Sequence, residues 1–204
     1  VTAGDPDLAT TAELIPELAA AGADVIELGI PHSDPIGEGP TIQVSSQRAL
    51  AKRTSLSQIL DLVRSVRAVS DVPLVLMGYL NNVLAYGEER LARDAAASGA
   101  DGLIVSDVPF EETAILSRAC AEHGVQRVLL VAPTSTPERT VRIAAASRGF
   151  VYCVSVTGAV SALTWSRDRL VLSTSAKSPM PLVLHAFAFP GWAATVDGVA
   201  VPTH

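Results

Sequence analysis

The chain has 204 residues, of which 49% are hydrophobic, and its formal net charge at neutral pH is −6. This length and this apolar content suffice for one ordinary domain with a sizeable core. The acidic balance, an aromatic content of only 4% and the lack of a Lys/Arg cluster argue against the surfaces that bind nucleic acid. We therefore expect no nucleic-acid partner.

Two cysteines, Cys120 and Cys153, stand among apolar residues, and we expect both to be small buried side chains rather than a disulfide scaffold. The sequence shows neither a basic segment followed by an apolar one nor an apolar run of roughly 18 residues. We therefore expect a protein of the reducing cytoplasm with no membrane association. Residues Val1–Pro6 have the composition of a strand end and its loop, so we expect the chain to begin inside a structural element.

Short β-rich runs recur along the chain. They are nearly continuous in apolar residues, which is typical of strands that are buried on both faces. The predicted strands are Asp24–Ile30, Pro73–Tyr79, Gly102–Ser106, Arg127–Ala132, Phe150–Val156, Pro181–Phe187 and Gly198–Val201.

Helical stretches lie between the earlier strands. Their apolar residues follow the spacing of an amphipathic helix, as Leu14, Ile15 and Leu18 do in the first of them. The predicted helices are Thr11–Ala21, Ser55–Val69, Glu88–Ala97, Glu111–Glu122 and Pro137–Ala146.

Glycine follows three of these helices, and a strand begins soon after each glycine. Gly22, Gly99 and Gly124 stand where a left-handed helix C-cap is favoured. This βα repeat predicts parallel strands with right-handed crossovers, in a closed (β/α)8 TIM barrel or in an open doubly wound sheet. The open sheet needs a glycine-rich phosphate loop after its first strand, and Gly37–Gly39 lacks the G-x-G-x-x-G form. We therefore favour the TIM barrel.

The predicted α/β barrel occupies residues 1–204 as a single domain. A TIM barrel usually needs about 250 residues. We therefore expect a barrel that is trimmed at its N-terminus and whose last two βα units are compressed.

Glu27 stands inside the apolar run Asp24–Ile30. Burial of a carboxylate among Val, Ile and Leu side chains is costly unless the group has a partner or a chemical role. At the C-terminal end of a barrel strand, that role is often general acid or base catalysis. The structural alternative is a carboxylate that pairs with an Arg or Lys inside the barrel.

Two further acids, Asp34 and Glu38, share the loop that follows this strand. One of them could assist the chemistry or hold a substrate N–H group while the other orders the loop. The alternative, which the pattern alone favours, is that Asp34 is a turn residue before Pro35 and that Glu38 is a solvated loop acid.

Asp107 follows the strand Gly102–Ser106, and we expect it to cap the helix that begins near Glu111 rather than to reach the active face. Thr136 is expected to be the N-cap of the last predicted helix, with Pro137 at its first position.

The loop Ser155–Gly158 follows a late strand, and its backbone N–H groups could cradle a phosphate. The four histidines show no metal-ligand spacing with one another or with the acids. We expect His32 to be an exposed loop residue, and we expect neither a metal nor a cofactor.

A series of motifs resembles the alpha subunit of tryptophan synthase. The resemblance is dense over residues 1–158, whereas residues 159–204 diverge from the family pattern. The motifs that carry it are Val1–Pro6, Val25–Gln43, Met77–Tyr79, Asp101–Pro109, Ala132–Pro137 and Phe150–Gly158.

This resemblance implies a (β/α)8 barrel that cleaves indole-3-glycerol phosphate to indole and glyceraldehyde 3-phosphate, a retro-aldol step of tryptophan biosynthesis. It implies that Glu27 is the catalytic acid and base. It also implies that Glu38 is the second catalytic acid, although the family has Asp at this position.

The resemblance further implies substrate-binding roles for Tyr79, Tyr152, Thr157 and Gly158. It implies that the loop around Asp34 faces a partner, the tryptophan synthase beta subunit, in an α2β2 tetramer. No metal is implied.

The chain departs from the family pattern after Gly158. Residues 159–161 replace a Val-Thr-Gly sequence, and the later phosphate loops become Ala186–Ala188 and Pro202-Thr203. Alanine methyl groups hinder a close backbone approach, and proline offers no N–H to a phosphate. Two alternatives to the lyase therefore stand: an impaired alpha-like subunit that only binds and activates a beta subunit, and a different barrel lyase or isomerase acting on a phosphosugar.

Overall fold

The structure is a computed structural model that describes residues 1–35, 37–132 and 134–154, and the backbone of four strands at 160–166, 169–174, 194–196 and 199–201. The helices of this part are α1 (Leu8–Ala20), α2 (Pro40–Ala51), α3 (Leu56–Arg67), α4 (Leu80–Tyr86), α5 (Glu88–Ser98), α6 (Ala114–His123) and α7 (Pro137–Ala146). A 3-10 turn covers Phe110–Glu112.

The strands follow the chain in order. They are β1 (Ile26–Gly29), β2 (Leu74–Gly78), β3 (Gly102–Val105), β4 (Gln126–Arg127), β5 (Leu129–Val131), β6 (Val151–Cys153), β7 (Val160–Ser166), β8 (Arg169–Thr174), β9 (Ala194–Val196) and β10 (Val199–Val201).

The first six strands pair in parallel. Strands β1 to β4 form one sheet in chain order, and β5 pairs with β6 in the same sense. Only Val128 separates β4 from β5, so one stretch of chain pairs first with β3 and then with β6. Thr2 adds a parallel bridge to Gly29, at the edge of β1 that β2 leaves open. This order, with helices in the connections, is that of successive βα units.

The helices and strands predicted before residue 155 are confirmed, with small shifts at their ends. Helix α7 has the predicted bounds, and the hydroxyl of Thr136 accepts a hydrogen bond from the Arg139 N–H at 3.3 Å as the expected N-cap. The predicted helix Glu111–Glu122 is divided into the 3-10 turn and α6, which begins at Ala114.

The glycines predicted to end helices have left-handed backbone angles. The φ angles are +105° at Gly22, +90° at Gly99 and +77° at Gly124. Space is also limited at Gly99, where a Cβ atom would lie 2.9 Å from Cγ of Arg67. Both features require glycine at this position.

Helices α2 and α4 are not predicted by the apolar pattern. The buried residues of α2 are Ser45, Ser46 and Ala49, which are small and partly polar. They produce no amphipathic signal, because that signal depends on large apolar side chains at helical spacing. Helix α4 is short, and Val83 is its buried residue.

The later strands differ from the predicted parallel repeat. Strand β7 pairs with β8, and β9 with β10, and both pairs are antiparallel. The predicted strand Gly198–Val201 is observed as β10, but within a hairpin. Two residues separate the strands of each pair in the sequence, whereas a parallel connection requires about a dozen. The predicted strand Pro181–Phe187 lies outside the described residues.

The core lies on both faces of the parallel sheet. Large buried side chains such as Leu28, Leu76 and Leu103 pack toward the helices. On the other face, a smaller cluster contains Val75, Ile104 and Val128, with Met77, Leu130 and Tyr152 packed against it. Among the helices that the structure describes, none has the length and apolar content that crossing a bilayer requires.

The predicted burial of the two cysteines is confirmed for Cys120, which is fully buried. Cys153, in β6, is half-buried.

Arg67, the last residue of α3, connects this helix to the sheet. Its Nε and Nη2 donate to the carbonyl oxygen of Gly99 at 3.0 and 2.8 Å. Its Nη1 donates to the carbonyl oxygens of Ser70 and Val72 at 3.1 and 2.9 Å. Nη2 also lies 2.7 Å from Oδ2 of Asp101 in an ion pair. The Arg67 guanidinium thus donates hydrogen bonds to carbonyl groups that follow both α3 and α5.

The Asp101 carboxylate extends this connection to the strands. Its Oδ2 accepts a hydrogen bond from the Leu74 N–H at 2.8 Å, and Leu74 begins β2. Asp101 itself directly precedes β3. The starts of two adjacent parallel strands are therefore held together by one ion pair.

Replacing Arg67 by Met should lower the free energy of unfolding by about 2–4 kcal/mol, because three carbonyl oxygens and Asp101 lose a charged donor. The control is Arg64→Met in the same helix, whose ion pair with Asp61 is exposed and should contribute less than about 1 kcal/mol. Urea denaturation measures both values. Equal losses in the two variants would contradict the role assigned to Arg67.

Candidate active site

A cavity of about 80 Å³ opens at the carboxyl ends of β1 and β2. Its lining includes Glu27 from β1, Glu38 from the following loop, and Met77, Gly78 and Tyr79 from the end of β2. The carboxyl ends of parallel strands are the usual place for catalytic groups in α/β barrels. The structure therefore brings together three of the predicted site residues, Glu27, Glu38 and Tyr79.

Glu27 is held by the pairing of β1 with β2. It is in register with Val75, whose side chain belongs to the smaller apolar cluster. Residues in register in a parallel pair point to the same face of the sheet. The half-buried Glu27 carboxylate therefore stands on the face that holds this cluster, beside the cavity.

Glu38 is held by its main chain. Its N–H donates to the Pro35 carbonyl at 3.0 Å, and its carbonyl accepts from Nε2 of Gln43 in α2 at 2.9 Å. The side chain is half-buried, and burial raises the pKa of this carboxyl group. A carboxyl whose pKa is raised toward neutrality is suited to exchange protons. The alternative of a fully solvated loop acid is therefore wrong.

Tyr79 anchors the loop that carries Glu38. Its hydroxyl oxygen accepts a hydrogen bond from the Gly37 N–H at 3.2 Å, and its ring is 6% exposed. The ring of His32 meets the Tyr79 ring edge-on, with centroids 4.6 Å apart. These contacts fix both sides of the loop against the end of β2.

The sequence pattern did not predict the roles of Gly37 and His32 in this anchor. His32 is half-buried, so the expectation of an exposed loop residue is wrong. No local signal could have found the contact, because Gly37 and Tyr79 are 42 residues apart.

Tyr152, in β6, is electrostatically coupled to both acids. Its pKa is raised first by burial and then by the negative charges of Glu27 and Glu38. Tyr152 also packs against the smaller apolar cluster, on the face of the sheet where Glu27 stands.

The remaining predicted residues are differently placed. Asp34 is exposed, and its N–H donates to Nδ1 of His32 at 3.1 Å. Thr157 and Gly158 lie outside the described residues.

The prediction that Asp107 caps the helix after it is wrong. Its Oδ1 accepts a hydrogen bond from the N–H of Leu80, the first residue of α4, at 2.7 Å. Parallel pairing explains this contact: Gly78 is in register with Val105, so the segments that follow β2 and β3 leave the sheet side by side. Asp107 therefore connects two loops at the carboxyl edge.

Two carboxyl groups, one buried tyrosine and one half-buried tyrosine near the carboxyl edge of a parallel sheet define a candidate acid–base site in a protein of the α/β class. The comparisons with known proteins agree with this class. A model of the tryptophan synthase alpha chain family matches residues 1–183. The chain belongs to this family.

Individual relatives support the assignment. A tryptophan synthase alpha chain from Geobacter sulfurreducens is 55% identical over 163 residues, which are 79% of this chain and 61% of the relative. The crystal structure of tryptophan synthase subunit alpha from Legionella pneumophila has a TM-score of 0.73 at 42% identity and covers 76% of this chain and 59% of its own. A tryptophan synthase complex from Pyrococcus furiosus has a TM-score of 0.72 at 39% identity, over 75% of this chain and 63% of its own.

These structural neighbours and the parallel strand order confirm the predicted α/β barrel class. The chain spans 59–63% of the length of these three relatives.

Replacing Tyr79 by Phe should loosen the loop at Gly37, because the partly buried hydrogen bond from the Gly37 N–H to the Tyr79 hydroxyl is lost, at a local cost of about 0.5–1.5 kcal/mol. Hydrogen exchange of the peptide that contains Gly37 measures this loss. The control is Tyr86→Phe in the same helix region, which removes a hydroxyl that donates to Asp94. Unchanged exchange at Gly37 in Tyr79→Phe would contradict the anchor.

Replacing Glu38 by Gln should change the pH dependence of stability. The folded-state pKa of Glu38 is raised, so the folded state binds its proton more tightly, and this residue costs stability as the pH rises above about 4.3. The variant should therefore gain stability relative to the parent as the pH rises through the raised pKa. Thermal melts across this range, with exposed Glu13→Gln as control, test the sign. A constant difference between Glu38→Gln and the parent would show that the pKa is not raised.

Proposed function

We propose that this chain cleaves indole-3-glycerol phosphate to indole and glyceraldehyde 3-phosphate. The observation that carries the proposal is the common cavity of Glu27 and Glu38, with Tyr152 coupled to both acids. Membership of the tryptophan synthase alpha chain family supports the same reaction.

The reaction is a retro-aldol cleavage that balances without a cofactor. A proton is added to indole C3, the bond from C3 to the glycerol carbon breaks, and the hydroxyl on that carbon loses its proton and becomes the aldehyde. One residue can deliver the first proton and accept the second. We assign this role to Glu27, because it stands at the end of a strand beside the cavity and a carboxyl group can act as both acid and base.

Glu38 has a different role in the proposal. Protonation of C3 places positive charge on the indole ring, and a carboxylate that accepts a hydrogen bond from the ring N–H stabilises this charge. Glu38 lines the same cavity as Glu27. The side chain is one methylene longer than the Asp of the family pattern, so its exact position depends on the loop that Tyr79 anchors.

We assign contacts with the substrate to Tyr79 and Tyr152, which border the two acids. We further assign phosphate binding to Thr157 and Gly158, through the backbone N–H groups of their Ser/Thr/Gly loop. Ala186, Ala188 and Pro202, where the sequence departs from the family pattern, also lie outside the described residues.

The proposal includes a partner, the tryptophan synthase beta subunit. The relative from Pyrococcus furiosus was solved as a tryptophan synthase complex. Asp34 is exposed on the loop that carries Glu38, so a protein that docks there would contact the segment that positions a catalytic acid. Asp34→Ala should weaken co-elution with a beta subunit and leave the melting temperature of the free chain unchanged.

Indole release from indole-3-glycerol phosphate tests the reaction. Glu27→Gln should lower the rate by about 10²–10⁴-fold, the usual contribution of a general acid or base. The matched control is Glu13→Gln, on the exposed side of α1, which should retain the parent rate. The proposal fails if the parent chain releases no indole, or if Glu27→Gln releases it at the parent rate.

A further inference from the structure

A second cavity, of about 360 Å³, lies away from the candidate active site. It is formed on the side of the sheet that faces α7. Its apolar lining includes Val105 from β3, Leu129 from β5, Ile143 from α7 and Phe110 from the 3-10 turn. Its volume is in the range of small-molecule sites.

Arg127, in β4, also lines this cavity and is only 2% exposed. Its Nη1 donates to the carbonyl oxygens of Leu103 and Val128 at 3.1 and 2.9 Å. Within the part of the chain that the structure describes, its Nε and Nη2 have no hydrogen-bond partner. One edge of this buried guanidinium therefore has no hydrogen-bond partner among the described residues.

This arrangement is energetically costly. A guanidinium remains charged in proteins, and a buried charge without a partner is strongly unfavourable. Burial lowers the pKa of Arg127, and its neighbour Cys120 offers no counter-charge, because burial raises the pKa of that thiol to about 11. An anion would remove the cost.

The other charged groups of the cavity are already paired. Arg139 forms a two-bond ion pair with Glu111, and Asp107 accepts from the Leu80 N–H. Arg127 is thus the cation that the described lining leaves without a counter-ion.

Two contacts join the elements that border this cavity, α7 and the 3-10 turn. The Arg139–Glu111 pair joins α7 to the 3-10 turn, and the guanidinium carbon of Arg142 lies 5.4 Å from the centre of the Phe110 ring. Both contacts therefore join α7 to the 3-10 turn at the border of the cavity.

We propose that this cavity binds a small amphipathic carboxylate. The Nε–Nη2 edge of Arg127 presents two parallel N–H donors, the geometry that recognises a carboxylate through two hydrogen bonds. The apolar part of the ligand packs against Val105, Leu129 and Ile143. The lining of this site shares no residue with that of the candidate active site.

Benzoate is the probe, because it combines a carboxylate with an apolar ring, and benzamide is its neutral counterpart of the same shape. Calorimetric titration should give one saturable benzoate site at constant ionic strength. Binding of benzamide, and of benzoate to Arg127→Met, should be at least about tenfold weaker, since the charge-assisted pair is lost. Arg118→Met, an exposed arginine of α6, should bind benzoate as the parent does.

The position of binding is tested by methyl NMR. Benzoate should shift the methyl signals of Leu129 and Ile143 and leave that of Met77, in the first cavity, unchanged. Arg127→Met removes the donor of the buried Leu103 and Val128 carbonyls as well as the charge, so a thermal melt is recorded beside the titration to show that this variant is folded. Should this variant not fold, Arg127→Lys keeps the charge without the two-donor edge and should also bind more weakly.

Several outcomes would overturn the proposal: no saturable benzoate binding, equal affinity for benzamide, undiminished binding by both Arg127 variants, or shifts confined to Met77. None of these readouts depends on indole release. Failure of this site and failure of the proposed reaction are therefore distinguishable.

Discussion

Parallel pairing of β1, β2 and β3 is the constraint on which the rest of the structure depends. It brings the carboxyl ends of the strands to one edge, so Glu27 and Tyr79 line one cavity although they are far apart in the sequence. At the opposite edge, Arg67 and Asp101 hold the starts of β2 and β3. A slip of one residue would turn each side chain to the other face of the sheet, so the site requires this register of β1 with β2.

Burial of ionisable groups shapes both cavities, but the groups respond differently. In the first cavity, burial raises the pKa values of Glu38 and Tyr152 and so favours the neutral forms of both side chains. In the second cavity, Arg127 remains protonated. The unfavourable free energy of burying its charge therefore remains unless an anion pairs with it. The same physical effect thus underlies both the reaction proposed for the first cavity and the ligand proposed for the second.

The sequence predicted those elements whose signals are local. Helix α7 has the predicted bounds because Thr136 and Pro137 define its start, and Gly99 ends α5 because a left-handed residue is required there. Helix α2 was missed because its buried face is made of Ser45, Ser46 and Ala49. The partner of Asp107 was predicted wrongly because Leu80 is near it only through the pairing of β2 with β3.

For the candidate site, the sequence by itself determined the residue types: carboxylates at Glu27 and Glu38, and tyrosines at 79 and 152, in motifs of the tryptophan synthase alpha chain family. Local chemistry singles out Glu27, since a carboxylate in an apolar run has few explanations, whereas the resemblance to the family singles out Glu38, Tyr79 and Tyr152. Only the tertiary structure decided that Glu38 is half-buried, that Tyr79 anchors its loop, and that Arg127 lines a second cavity. Burial and long-range contacts depend on which elements pack together, and the spacing of residues along the chain does not contain that information.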